Sequence, residues 1–123
     1  MILKGKVKSG LGEAGYWMKK AESAFERKTG LKLFHGTLNI ELEEEYILDE
    51  NVNVLHKEEY GGAQEVYIKE CEVLGNKSYI LRTSKNMTKD GDHPLNILEI
   101  VSDVNFREKY KLKDEDEINI VIK

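Results

Sequence analysis

Leu38, Ile40 and Leu42 alternate with Asn39, Glu41 and Glu43, and the same period of two returns near the chain end in Ile118, Ile120 and Ile122. Strand side chains point alternately to opposite faces, so a period of two implies a strand with one face covered. Further strands are predicted over Ile2–Lys8, Glu65–Leu74, Tyr79–Leu81 and Asn96–Val101, with a short one around Val52–Leu55. Gly75-Asn76-Lys77-Ser78 supplies a turn, because Gly and Asn accept positive φ at little cost. Lys113–Asp116 supplies another. About six strands in 123 residues predict a mainly β chain closed into a small six-stranded barrel. Closure removes the exposed edges that a small sheet must otherwise protect.

Helical spacing is confined to two places. Met18, Ala21, Ala24 and Phe25 share one face of a helix predicted over Tyr16–Thr29, stopped by Gly30. Asn105–Tyr110 predicts a short helical turn. Glu43-Glu44-Glu45 reads as a solvated strand end. The polar stretch Thr83–Asp92, ending in Lys89-Asp90-Gly91-Asp92, reads as a mobile loop. The chain is expected to form one domain over residues 1–123.

Charge removes several classes of function. The formal net charge is −4, which disfavours broad binding to DNA or RNA. No apolar run approaches the ~20 residues of a membrane helix, and Met1–Lys6 lacks the apolar core of a signal peptide. Cys71 stands alone inside an apolar strand pattern, as a buried, inert thiol would. His35, His56 and His93 lack metal-ligand spacing, which argues against zinc. A cytoplasmic monomer without nucleic-acid or membrane partners is expected.

Three constellations can carry chemistry. Gly10-x-Gly12-x-x-Gly15 follows a strand and precedes a helix, as a dinucleotide fingerprint does, but the βα repeats of that fold are missing. No Gly-Lys-Ser/Thr follows, so it is not a Walker A loop. Backbone N–H groups facing an anion, or a plain tight turn, both fit. Thr37 and Asn39 lie on one strand face and offer hard oxygens of the kind Mg²⁺ accepts. They would equally satisfy backbone groups at a strand start. Glu99 interrupts the apolar run Ile97–Val101, either facing solvent or taking a proton from a substrate hydroxyl at a barrel mouth.

Together and in order, these pieces resemble the CTP-dependent riboflavin kinases. The resemblance rests on Ser9-Gly10-Leu11-Gly12-Glu13-Ala14-Gly15-Tyr16-Trp17, then Gly36-Thr37-Leu38-Asn39, then His93-Pro94 and Ile97–Val101. Phe106-Arg107-Glu108 and Leu112–Asp116 complete it, so nearly the whole chain is covered. It implies a cradle-loop β-barrel that moves the γ-phosphoryl group of CTP to the 5′-hydroxyl of riboflavin, giving FMN and CDP. It further implies that Gly10, Leu11, Gly12, Glu13, Ala14, Gly15 and Tyr16 bind the nucleotide phosphates. Val104, Asn105, Phe106 and Arg107 would bind the cytidine nucleotide, Thr37 and Asn39 Mg²⁺, and Glu99 and Thr88 the flavin. A catalytic role for Glu99 as base is an expectation added from its chemistry.

The chain departs from the family pattern at four places. Ala14 replaces a usual glycine, Ser102-Asp103 an Ala-Pro, and Glu115 the glycine of a late Asp-Gly-Asp turn. The flavin-contacting threonine aligns directly with Gly91 or, with a gap, with Thr88. These departures motivate an alternative, a non-catalytic barrel that binds a flavin or nucleotide. A relative of the DNA-binding cradle-loop barrels fits the charge balance poorly.

Overall fold

The computed structural model describes residues 1–9, 18–49, 52–62, 64–84 and 95–123. Strands β1 (Ile2–Lys8), β2 (Leu38–Leu42), β3 (Asn53–Leu55), β4 (Val66–Val73), β5 (Asn76–Thr83), β6 (Ile97–Ser102) and β7 (Glu117–Ile122) form one antiparallel sheet. Six of them close on themselves in the circuit β4-β5-β6-β2-β1-β7, with β7 pairing back onto β4. The predicted six-stranded barrel is therefore present. The short strand β3 is additional to it. One edge of β4 serves two neighbours: Val66–Ile68 pairs with β3, and Cys71–Val73 pairs with β7.

Two cores sit on either side of the barrel wall. Inside lie Val7, Leu38, Ile40, Leu42, Cys71, Val73, Ile80, Leu98, Ile100, Ile118 and Ile120, with Phe106 and Leu48 joining them from the connecting segments. Gly5 lets β1 and β2 approach here, since a Cβ would stand 2.5 Å from Ile40 Cγ2 and 2.7 Å from the Glu41 carbonyl oxygen. Burial pushes the Cys71 thiol up to about 12, so it is the inert thiol its sequence context implies.

The second core covers the outside of β4, β5 and β6. Val66, Ile68, Tyr79, Leu81 and Val101 meet Met18, Ala21, Ala24, Phe25, Leu33 and Leu55. Burying a side chain such as Phe25 contributes about 1.5–3 kcal/mol. The helix differs in one detail from its expectation. Residues 18–20 are helical, Ala21 leaves the helical region at φ −100° and ψ 14°, and α1 runs over Glu22–Thr29. Gly30 ends it in the left-handed conformation and donates its N–H to the Glu26 carbonyl. Tyr79 Oη donates to the Thr29 carbonyl at 2.8 Å, tying the end of α1 to β5.

Two further helices are short. Helix α2 (Lys57–Tyr60) has no counterpart in the sequence reading. Helix α3 (Phe106–Tyr110) is the predicted helical turn, and the Asn105 side chain caps it by accepting from the Glu108 N–H. Among the described residues no helix is long and apolar enough to cross a membrane.

The β4–β5 turn also differs from expectation. Val73 pairs with Asn76, so the turn is Leu74-Gly75 rather than Gly75–Ser78, and β5 already begins at Asn76. Leu74 at φ 51° and Gly75 at φ 77° make a two-residue turn with both φ positive, the twist that suits a hairpin. Leucine there is strained by about 1–2 kcal/mol, and it is 44% exposed, so little burial compensates. Leu74→Asn is expected to raise the melting temperature by roughly 3–8 °C in thermal unfolding followed by circular dichroism. An unchanged or lower midpoint would show that the leucine side chain is stabilising where it stands.

Candidate functional site

Four strands bring one residue each into a lateral row on the outside of the barrel. Lys8 pairs with Asn39, Asn39 with Glu99, and Glu99 with Leu81. Their neighbours Val7, Ile40, Leu98 and Ile80 point inward, so alternation sends these four outward. Directly opposed residues have Cβ atoms about 4.5–5.5 Å apart. The expected metal residue Asn39 therefore stands between the last residue of β1 and Glu99.

Asn39 is only 7% exposed. Its Oδ1 is buried and has no hydrogen-bond partner among the described residues. An unsatisfied buried acceptor costs about 1–3 kcal/mol, so such an atom asks for a ligand. A hard, neutral amide oxygen on a residue paired with Glu99 suits Mg²⁺, which takes a few protein oxygens and completes its shell with water and phosphate. Thr37, two residues earlier, offers a second oxygen and is half-buried. Among the described residues no three His, Cys, Asp or Glu cluster as a metal cage would require.

Thr37 also lines a cavity of about 450 Å³ with Phe34, Gly36, Val104, Asn105, Phe106 and Arg107. This cavity lies beside the barrel end where β6 gives way to α3. The structure thus brings together Thr37 and the whole expected nucleotide turn. Asn39 and Glu99 are absent from its lining and stand on the adjacent row. Gly10–Tyr16 and Thr88 lie outside the described residues, as do Gly91, His93 and Pro94.

Arg107 is anchored rather than free. Its Nη2 donates to the Lys8 carbonyl at 3.1 Å and to Asp114 Oδ1 at 2.7 Å. Ser9 Oγ donates to the other carboxylate oxygen, Asp114 Oδ2, at 2.6 Å. The Ser9 hydroxyl and the Arg107 guanidinium hold the Asp114 carboxyl below the usual carboxylate range. The start of the glycine stretch is thereby fastened to α3 and to the turn before β7. That turn is also joined to β1: Glu115 N–H donates to the Val7 carbonyl at 2.7 Å, and Val7 N–H to the Asp116 carbonyl at 2.9 Å.

Glu115 explains its own departure from glycine. It sits at φ 75°, the conformation for which glycine is favoured. Its carboxylate accepts a hydrogen bond from Lys8 Nζ, which raises the lysine pKa. The side chain thus adds an ion pair at the foot of the glycine stretch that glycine lacks. Asp103 is exposed and lies outside the lining of the cavity, so its charge is not directed at a ligand there.

On the other side of the row, Arg82 is 5% exposed, and its guanidinium donates to three carbonyls. These are Tyr46 at 2.5 Å, Leu95 at 3.1 Å and Ile97 at 3.4 Å. Burial lowers its pKa, and Tyr46 first and then the charge of Glu99 work against that shift. Arg82, next to the last residue of β5, fastens the strand entry of β6, two residues before Glu99.

Sequence reasoning missed Lys8, Phe34, Asp114 and Arg82 as parts of this site. Lys8 was accessible in principle, since it alternates with Val7 and follows Lys4 and Lys6. Phe34 and Arg82 give no local signal, because their partners Ser102, Tyr46 and Leu95 are distant in sequence, and Asp114 stands in the Leu112–Asp116 motif without a role of its own. His35 places Nε2 3.7 Å from Glu22 Oε2 at the start of α1.

Comparison with known proteins adds an independent finding. The family model CTP-dep_RFKase, described as "Domain of unknown function DUF120", matches residues 7–122. A protein named riboflavin kinase from Thermococcus kodakarensis is 33% identical, the match covering 98% of this chain and 58% of that protein. Proteins of the same name from Staphylothermus marinus and Methanococcus maripaludis are each 30% identical. Those matches cover 98% and 99% of this chain and 90% and 100% of theirs. The chain thus spans little more than half the length of the Thermococcus relative.

Proposed function

The chain belongs to the CTP-dep_RFKase family, and from that premise we propose that it is a riboflavin kinase. It transfers the γ-phosphoryl group of CTP to the riboflavin 5′-hydroxyl, giving FMN and CDP with Mg²⁺. The observation that carries this reading is the buried Asn39 Oδ1, without a hydrogen-bond partner among the described residues, on a residue that pairs in register with Lys8 on one side and Glu99 on the other, two positions from Thr37 in the cavity wall. The names of the relatives support the acceptor, and the family supports the donor.

Phosphoryl transfer asks a protein mainly for positioning and charge neutralisation. The turn Val104–Arg107 and the Gly10–Tyr16 stretch hold the nucleotide, the first through the cavity wall and the second through backbone N–H groups. The Ser9–Asp114–Arg107 bonds tie Ser9, just past the end of β1, to the Val104–Arg107 turn. Thr37 Oγ1 and Asn39 Oδ1 hold Mg²⁺, which supplies positive charge for the phosphate oxygens. Glu99 accepts the 5′-hydroxyl proton as the oxygen bonds to Pγ and the bond from Pγ to the bridging oxygen breaks. CDP leaves with that electron pair.

Purified protein incubated with riboflavin, Mg²⁺ and each of CTP, ATP, GTP and UTP is expected to form FMN with CTP, read by chromatography of the flavins. Absence of FMN with every nucleotide would overturn the kinase reading and leave a binding barrel. FMN from ATP but not from CTP would overturn the donor alone.

A further inference from the structure

We propose that Phe34 is the platform on which the nucleobase of the phosphoryl donor stacks. The inference rests on the nucleotide reading of the Thr37 cavity and adds a residue that motif matching passes over. Phe34 is 42% exposed, although most large apolar side chains of the described residues are buried. It lines the same cavity as Thr37, Val104, Asn105 and Arg107. A volume of about 450 Å³ is in the range of small-ligand pockets.

The ring is held in place by its backbone. Phe34 N–H donates to the Ser102 carbonyl at 2.8 Å, and Gly36 N–H donates to the Phe34 carbonyl at 3.0 Å. The ring leans over Gly36, where a Cβ would come within 3.1 Å of Phe34 Cε1. Gly36 therefore provides the room in which the ring lies against the chain. An exposed aromatic ring on fixed backbone, at the wall of a cavity that also carries Thr37, Asn105, Arg107 and Glu108, is suited to a flat ligand ring with polar edges. Stacking on such a ring is tolerant of base identity, because every base has a π-face. Discrimination between bases then falls to polar groups of the Val104–Arg107 turn, while Phe34 supplies affinity common to all.

The test compares CDP binding in the presence of Mg²⁺, by calorimetry, for the wild-type chain and for Phe34→Ala, Phe34→Leu and Phe34→Tyr. Phe34→Ala and Phe34→Leu are expected to weaken CDP by about 5-fold to 100-fold, the range that base–aromatic stacking supplies. Phe34→Tyr is expected to stay within about twofold. In turnover the loss falls on KM for CTP rather than on kcat, and KM for riboflavin is unmoved. Leucine keeps apolar bulk without a π-face, so wild-type CDP affinity in Phe34→Leu would overturn the platform and leave plain packing. A wild-type chain that binds no CDP would overturn the nucleotide reading itself. These failures are distinguishable, because the first leaves wild-type binding intact.

Discussion

Asn39→Leu is expected to make the metal-free protein more stable and to abolish FMN formation. The two effects have one cause. Asn39 Oδ1 is buried without a partner among the described residues, and it is the atom proposed to meet the metal. Leucine has the same branched four-heavy-atom side chain as asparagine, though with bulkier methyl groups, and removes the unsatisfied acceptor, which costs about 1–3 kcal/mol. In a domain of this size each kcal/mol moves the midpoint by roughly 3–6 °C. Thermal unfolding in chelator-treated buffer should therefore show an upward shift. Wild-type protein should gain stability on adding Mg²⁺ with CDP, by about 2.7 kcal/mol at a hundredfold excess over Kd, and Asn39→Leu should gain much less. A lower midpoint for the variant would mean that the amide is satisfied in the free protein. Persistent metal-dependent turnover, in this variant or in Thr37→Ala with Asn39→Ala, would place the metal seat elsewhere.

That opposition between stability and activity also explains why parts of the molecule were readable from sequence. Strands β1, β2 and β7 alternate cleanly, Lys4 and Lys6 against Val7, Glu41 against Ile40 and Leu42, Glu117 and Asn119 against Ile118 and Ile120. Lys6 is flanked by Glu41 and Glu117 on the solvated outer face. Strands β4, β5 and β6 do not alternate, because the second core covers their outer face as well. Tyr79-Ile80-Leu81 is apolar on both faces for this reason, as fully covered strands are. Its true ends, Asn76 and Thr83, were consequently harder to place. The turn was misplaced for a different reason. Turn propensity pointed to Gly75-Asn76, whereas pairing of Val73 with Asn76 forces strained Leu74 into the turn. Asn76 remains important, but as a strap: its Nδ2 donates to the Leu74 carbonyl at 3.0 Å and to Tyr110 Oη at 2.8 Å.

The same contrast isolates Glu99, the polar residue of a strand otherwise apolar on both faces from Ile97 to Val101. Glu99 is half-buried there, and the proposed proton transfer would give that carboxylate its role. Glu99→Gln keeps the size, the cross-strand position opposite Asn39 and hydrogen-bonding capacity, and it removes the ability to take a proton. Turnover is expected to fall by about 10²- to 10⁴-fold, the usual contribution of a positioned base. Riboflavin affinity, followed by flavin fluorescence, should change by less than about threefold. Glu99→Asp retains the carboxylate on a shorter stem and should recover part of the rate. Full turnover in Glu99→Gln with normal riboflavin binding would remove Glu99 from the proton path and leave positioning of the hydroxyl as its role. Loss of riboflavin binding in Glu99→Gln but not in Glu99→Asp would instead show that the charge holds the substrate. The buried Arg82 beside the start of β6 makes this comparison informative, because the neutral glutamine also removes the charge that acts on that guanidinium. A stability loss in Glu99→Gln, absent from Glu99→Asp, would therefore measure that electrostatic link separately from the chemistry.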